Sequence, residues 1–398
     1  MSKRYKIPIL DLSAQYAGIR AEVSAAIDAV LDGQQFILGP AVSRFEEQMA
    51  RYLGSAHAAG VASGSDALLL ALMALGVGPG DGVMVTPFTF FSTVSSITRL
   101  GATPLFVDIE ARNYLLSPAA VEAFLAQRAR RENGRTVDTR TGLRIKALLP
   151  VHLFGQCAAM AEFLSLARQY GVRVIEDVAQ ACGARTIIAG SKICAGASGD
   201  FGCFSFFPSK TLGGYGDGGL VTTQDDALDA TIKTLRMHGE TQKYHHQLTG
   251  INSRLDSIQA AVLSVKQRYL EEWCAQRIAR AQTYHRLFAE SGVIGEDSII
   301  SIPPPQPDHA HVFNYYVVRV RRRGELKDFL AERGIQSEVY YPLPLHLQKC
   351  FAELGYKKGD FPAAELVATQ VLALPLYPEI TAPQQETVVA SIAAFFHR

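Results

Sequence analysis

Lysine, aspartate and a small hydroxyl, in the order Asp177, Ser205 and Lys210, form a set able to hold an aldehyde as a Schiff base. Lys210 lies in the run Phe204-Ser205-Phe206-Phe207-Pro208-Ser209-Lys210-Thr211-Leu212-Gly213-Gly214, after a hydrophobic segment and before a glycine-dense turn from Gly213 to Gly219. An amine condenses with a carbonyl only when part of it is neutral, so it needs a desolvating or charge-tuned pocket. A lone lysine normally faces solvent. The aromatic residues before Lys210 and the glycines after it argue for a different setting here.

Two further segments could complete such a site. Ser63-Gly64-Ser65-Asp66-Ala67 opens the apolar helix pattern Leu68 to Met73. Small residues at a helix start expose backbone N–H groups and the positive end of the helix dipole, which suits a phosphate. The same residues also serve as ordinary N-caps. Glu176-Asp177-Val178-Ala179-Gln180 ends a strand-like segment. A carboxylate there can pair with a protonated ring nitrogen and keep that ring electron-poor, with Gln180 within reach of a ring hydroxyl; a second helix cap is the alternative. Gly214-x-Gly216-x-x-Gly219 formally matches a dinucleotide fingerprint, but strand-like Leu220 to Thr223 follows where that motif demands a helix.

The elements that must position these residues alternate between strand and helix. Asp81 to Thr86, Thr103 to Asp108, Ile145 to Leu149, Val172 to Asp177 and Phe201 to Phe206 read as strands, and Met160 to Tyr170 as a helix ended by Gly171. Such alternation predicts an α/β fold with a mostly parallel sheet covered by helices on both faces. Ligands of such sheets collect beyond the carboxyl ends of the strands, where Asp177 lies. A long helix from Asp256 to about Glu290 is expected next, then a stiff connector at Pro303 to Pro307. A strand at Tyr315 to Val320 and a helix at Gly324 to Arg333 follow. Residues 1–265 are expected to form a large cofactor-binding domain and 266–398 a smaller α+β C-terminal domain.

Lys+Arg 39 against Asp+Glu 38 leaves a net charge of +1 over 398 residues, so no global field favours nucleic acid or an anionic membrane. The arginines from Arg128 to Arg144 and from Arg321 to Arg323 have no interleaved aromatic residues and read as solvated loops. The N-terminus lacks an apolar stretch of signal-peptide length, and Ala67 to Leu75 is too short to span a bilayer. The six cysteines show no CxxC pair and read as buried thiols of a reducing, cytoplasmic compartment. His238, His245 and His246 match no standard zinc spacing, so no metal is expected and a loop facing substrate or an interface is read there.

The motifs in order, Ser63-Gly64-Ser65-Asp66-Ala67, Glu176-Asp177-x-Ala179-Gln180, Phe204-Ser205-Phe206-x-Pro208-x-Lys210-x-Leu212-Gly213 and Gly250-Ile251-Asn252-Ser253-Arg254-Leu255-Asp256-x-x-Gln259-Ala260-Ala261, resemble the DegT/DnrJ/EryC1/StrS family. These are pyridoxal 5′-phosphate (PLP) aminotransferases of nucleotide-linked keto-sugars, with the fold type I, aspartate aminotransferase-like architecture. The likeness runs from about Pro8 to Pro378. It implies that Lys210 forms the Schiff base with PLP and later shuttles the substrate proton. Asp177 would pair with the pyridinium nitrogen, Gln180 meet the ring hydroxyl, and Phe90 stack on the ring. Gly64, Ser65 and Ser205 would hold the phosphate, joined by Asn252 from a neighbouring subunit, which makes the protein a homodimer with shared active sites. Arg254, Tyr341 and His246 would sit beside the sugar nucleotide.

The implied reaction is a ping-pong transfer from L-glutamate to a nucleotide-linked keto-sugar, for the amino sugars of surface polysaccharides such as lipopolysaccharide O-antigen. The run Phe207 to Gly219 with Met237-His238-Gly239 and Lys243-Tyr244-His245-His246 resembles 3-keto-sugar aminotransferases, above all those of UDP-linked 2-acetamido-3-keto-glucuronate. A 4-keto-sugar aminotransferase is the alternative. The sequence departs from many relatives at Tyr340, where they carry histidine. Dehydratases on this scaffold replace the lysine by histidine, which Lys210 argues against. A regulatory binding protein is disfavoured by the lack of a helix-turn-helix appendage or basic stripe.

Overall fold

The computed structural model describes residues 5–304 and 310–397. Its largest sheet has the order His57–Val61, Gly219–Thr223, Phe201–Ser205, Arg173–Asp177, Arg144–Leu149, Asp81–Val85, Thr103–Phe106. The four pairings from Phe201–Ser205 to Thr103–Phe106 are parallel; the two that attach Gly219–Thr223 are antiparallel. The central strands are apolar runs buried on both faces, as parallel strands sandwiched by helices must be. The strands read from the sequence are therefore present, in a mostly parallel α/β sheet. Asp177 and Ser205 both stand at carboxyl ends, on neighbouring strands.

A second sheet of three antiparallel strands, Ile299–Ser301, Tyr316–Val320 and Val371–Leu374, packs with the helices Arg323–Glu332 and Ala382–Phe396. Ile7, near the chain's start, joins this core by bridging Ile335. The two layers are tied by Asp108, whose carboxylate accepts the N–H groups of Ala363 and Ala364 at 2.9 and 3.0 Å, capping the helix Pro362–Gln370. The proline connector expected at Pro303 to Pro307 falls outside the described residues beyond 304.

Three readings need correction. The arginine-rich stretch is not a loop but an antiparallel hairpin, Ala129–Glu132 with Arg135–Asp138, which extends the large sheet. Its anchor is the buried Asp138 carboxylate, which takes Arg128 Nε and Nη2 at 3.0 and 2.6 Å and Thr141 Oγ1 at 2.6 Å. Burial raises that carboxyl's pKa, but the guanidinium and hydroxyl more than offset it and leave it lowered. The single long helix is two, Ser257–Gln267 and Leu270–Ser291. The break falls at Arg268 and Tyr269, which both turn to Glu22. Of the cysteines, Cys182, Cys194, Cys203 and Cys274 are buried and free, whereas Cys157 is half-buried and Cys350 exposed. No helix of the described residues is long and apolar enough to cross a membrane.

His311 links the fold to pH. It is buried, its ring stacks on Phe313 at 3.8 Å, and its Nδ1 accepts the Phe313 N–H at 3.0 Å. Burial lowers its pKa from 6.5 to about 3. Between those values the unfolded chain binds a proton that the folded one refuses. Stability should thus fall with decreasing pH by up to about 1.4 kcal/mol per unit from this group. Urea unfolding at pH 7 and pH 5 checks this: His311→Gln should lose less stability over that interval than the parent chain.

Candidate active site

A cavity of about 360 Å³ lies at the carboxyl ends of the parallel strands. Asp177, Lys210, Gln180, Gly64, Ser65, Ser205, Phe90 and Tyr341 all line it, so segments as distant in sequence as residues 63 and 341 converge there. Asn252, Arg254 and His246 do not line it. Asn252 is exposed beside the Met237 bridge, and His246 is exposed on the short hairpin Glu240–Gln242/His245–His246 rather than on a loop. Arg254 is half-buried.

Asp177 and Glu176 end the strand Arg173–Asp177 and, as neighbours on a strand, point to opposite faces. Glu176 turns away from the cavity, where Gly196 N, Ser198 N, Ser198 Oγ and Gly199 N donate to it at 2.7–2.9 Å. His152 Nε2 lies 3.0 Å from it. Because the Ala158 N–H donates to His152 Nδ1 at 2.9 Å, Nε2 carries the ring proton and donates to Glu176. Burial raises the Glu176 pKa, but these donors overcome it and leave it lowered. Asp177 faces the cavity with fewer donors. Thr93 Oγ1 donates to its Oδ2 at 2.8 Å and Ala179 N to its Oδ1 at 3.1 Å. Burial dominates and its pKa is raised, against the Thr93 and Ala179 hydrogen bonds and the charge of Lys210. A buried carboxylate left this poor in positive charge suits a cationic partner in the cavity.

Lys210 is set by a closed loop. Its N–H donates to Phe207 O at 2.9 Å, Phe206 N to Gly218 O at 2.8 Å, and Gly214 N to Phe206 O at 2.7 Å. At the other wall Ser63 caps the helix Gly64–Ala74, its Oγ accepting the Asp66 N–H at 3.1 Å. The cap reading and the cradle reading of this segment are compatible, since Gly64 and Ser65 occupy the first helical positions and line the cavity. A Cβ on Gly64 would stand 2.5 Å from Ser205 Cβ, so only glycine lets the helix start close on the Phe201–Ser205 strand. Ser65 Oγ and Ser92 Oγ lie 2.6 Å apart at that end.

Gln180 is locked on both sides. Its Oε1 accepts the Phe154 N–H at 2.7 Å and its Nε2 donates to Tyr341 Oη at 2.9 Å. Phe90 is 56% exposed, its ring 6.1 Å from that of Tyr341. Thr93, Ser92, Tyr315 and Tyr340 also line the cavity and were not singled out in the sequence. Thr93 hides in the hydroxyl-rich run Phe91–Thr98, in which nothing but geometry marks the one that meets Asp177. Among the described residues no group of three metal-binding side chains converges. The donor set therefore fits a planar cationic heterocycle carrying an aldehyde and a phosphate: a carboxylate, an amine, and a helix start that a side chain would obstruct.

The sequence profile of the DegT/DnrJ/EryC1/StrS aminotransferase family matches residues 18–393. The chain is 44% identical to a pleiotropic regulatory protein of Geobacillus stearothermophilus, over 98% of both chains. It is 40% identical to the UDP-N-acetyl-3-dehydro-alpha-D-glucosamine 3-aminotransferase of Acidithiobacillus ferrooxidans, over 100% of this chain and 99% of that one. To the UDP-2-acetamido-2-deoxy-3-oxo-D-glucuronate aminotransferase of Pseudomonas aeruginosa it is 36% identical, over 97% and 99%. Its structure superposes on that of Streptomyces venezuelae DesV in complex with a ketimine intermediate with a TM-score of 0.88, at 40% identity, covering 98% and 99% of the two chains. With a profile match over nearly its whole length and the expected amine, carboxylate and helix start gathered in one cavity, this chain belongs to the DegT/DnrJ/EryC1/StrS aminotransferase family and is a PLP-dependent enzyme of fold type I.

Proposed function

We propose that this protein transfers the amino group of L-glutamate to a UDP-linked 2-acetamido-3-keto sugar, a hexose or hexuronate, in an active site shared by two copies of the chain. The observation that carries the reading is the convergence of Asp177, Lys210 and the Gly64–Ser65 helix start on one cavity. PLP bound there supplies an electron sink for the charge left on carbon when a C–H proton is removed. Asp177 holds the ring nitrogen protonated, and Thr93 and Ala179 hold Asp177. The backbone of Gly64 and Ser65, with Ser205, receives the phosphate. Lys210 Nζ would hold the aldehyde carbon and, when free of it, would take and return the substrate proton, a base role open to an amine only in its neutral form. Gln180, fixed by Phe154 and Tyr341, orients the ring hydroxyl.

The 3-keto sugar is favoured by the likeness to two relatives named for 3-dehydro or 3-oxo UDP-sugars. In this reading Tyr315, Tyr340 and Tyr341 supply hydroxyls to the sugar; burial raises the pKa of both Tyr340 and Tyr341. Asn252, Arg254 and His246 serve the cavity of a second copy, which accounts for their absence from the lining of their own. Arg254 then meets a sugar carboxylate or phosphate.

The test is formation of 2-oxoglutarate by the purified, PLP-loaded protein from glutamate with UDP- and dTDP-linked 3-keto and 4-keto sugars. Turnover is expected with the UDP-linked 3-keto acceptors. Faster turnover of a 4-keto acceptor would overturn the proposed position, and no turnover of any keto-sugar would overturn the function.

A further inference from the structure

Lys266 is buried, with 1% of its surface exposed, on the helix Ser257–Gln267. Its Nζ donates to Gly213 O, three residues past Lys210, and lies 5.1 Å from the Tyr215 ring centre and 5.9 Å from that of Trp273. Burial lowers its pKa to about 8, with Glu379 acting against that. Hiding a lysine is costly unless its charge and donors are used. Seven residues earlier, on the same helix face, Gln259 accepts the Tyr215 N–H at 2.8 Å through Oε1. A Cβ on Gly214 or Gly216 would come within 2.8 and 2.9 Å of the Gln259 amide, so glycine at both positions lets Gln259 reach the turn's backbone. Thr211 Oγ1 donates to Cys182 O at 3.1 Å, and Gly214 N closes on Phe206 O. The segment carrying Lys210 is thus held at Thr211 and again at Gly213–Tyr215, where Lys266 and Gln259 hold it from outside the cavity lining.

We propose that Lys266 and Gln259 are positioning residues, which fix the Gly213–Gly216 turn and through it the reach of the Lys210 amine. This rests on the reading of Lys210 as the amine that binds PLP. Neither side chain lines the cavity, so neither touches the substrate or cofactor. An amine displaced by about 1 Å loses on the order of a hundredfold in rate, and loosening one of two restraints should forfeit part of that.

The experiment compares the PLP-loaded parent protein with Lys266→Met and Gln259→Leu. The expected result is a kcat lowered about tenfold in each, the KM for glutamate within about twofold of the parent, and faster amide hydrogen exchange confined to residues 211–216. A merely structural role would lower the melting temperature with kcat intact in the fraction that stays folded. Should Lys266→Met fail to fold, Gln259→Leu carries the same test, since it leaves the buried amine in place. Parent-like kcat and parent-like exchange at 211–216 would overturn the proposal. Borohydride reduction followed by peptide mapping separates the two failures: PLP fixed at Lys210 in every variant upholds the functional reading even if the grip proves irrelevant, whereas PLP fixed elsewhere in the parent removes the ground for both.

Discussion

Lys210→Ala should abolish amino transfer, with kcat lower by about 10⁴-fold, the upper end of what a positioned proton-transfer group contributes. In the proposed function the side chain does two things, binding the aldehyde carbon and carrying a proton between the cofactor and the sugar carbon, and alanine does neither. The fold should tolerate the change. The loop is closed by the Lys210 N–H on Phe207 O and the Phe206 and Gly214 amides, none of which involves the amine. Melting temperature within a few degrees of the parent, no borohydride-fixed PLP, and partial recovery of rate on adding a small primary amine are the expected measurements. Retention of more than about a tenth of the parent rate would show that some other base carries the proton.

Asp177→Asn is expected to move activity and apo-protein stability in opposite directions. The amide keeps the shape of the carboxylate and can still accept from Thr93 or Ala179, but it cannot hold a ring nitrogen protonated. Loss of one preorganised charge contact of this kind costs about a hundred- to a thousandfold in kcat. Stability follows from the raised pKa of Asp177 in the fold, where burial outweighs Thr93, Ala179 and Lys210. A carboxyl with a folded pKa above its unfolded value penalises the folded state once pH climbs past the usual carboxylate range. The apo variant should therefore unfold at a urea concentration no lower than the parent at pH 7, and the difference should vanish as pH falls below that range. An Asp177→Asn protein both inactive and markedly less stable would mean that the carboxylate serves the fold rather than the chemistry.

The parts legible in the sequence share one trait: their cause is local. Val172 to Asp177 and Phe201 to Phe206 are apolar runs that can only be buried strands, so the aspartate at one end and the serine-to-lysine loop at the other could be placed at the carboxyl edge without coordinates. Gly171 stops its helix in the left-handed region at φ 65°. What stayed hidden depends on partners far away in the chain. The hairpin at Ala129–Asp138 looks like solvated arginine until Asp138 is seen buried against Arg128. The break at Arg268 and Tyr269 has no proline or glycine to announce it; both residues bond Glu22, more than two hundred residues upstream. Thr93 reads as one hydroxyl among many, and Lys266 as one surface cation among 39, until geometry places the first on Asp177 and the second beneath Gly213.

The wall of tyrosines has a different parentage from the floor it stands over. Asp177, Ser205 and Lys210 belong to the large sheet and its loops. Tyr315 instead leads into the strand Tyr316–Val320, and Tyr340 and Tyr341 follow Glu338, which bridges to Ala373 on the neighbouring strand of the second sheet. Descendants of one ancestor could therefore exchange Tyr315 and Tyr340 in the cavity lining without disturbing the machinery beneath, whereas Tyr341 holds Gln180. Retargeting such an enzyme in the laboratory should begin with libraries at positions 315 and 340, leaving the floor untouched.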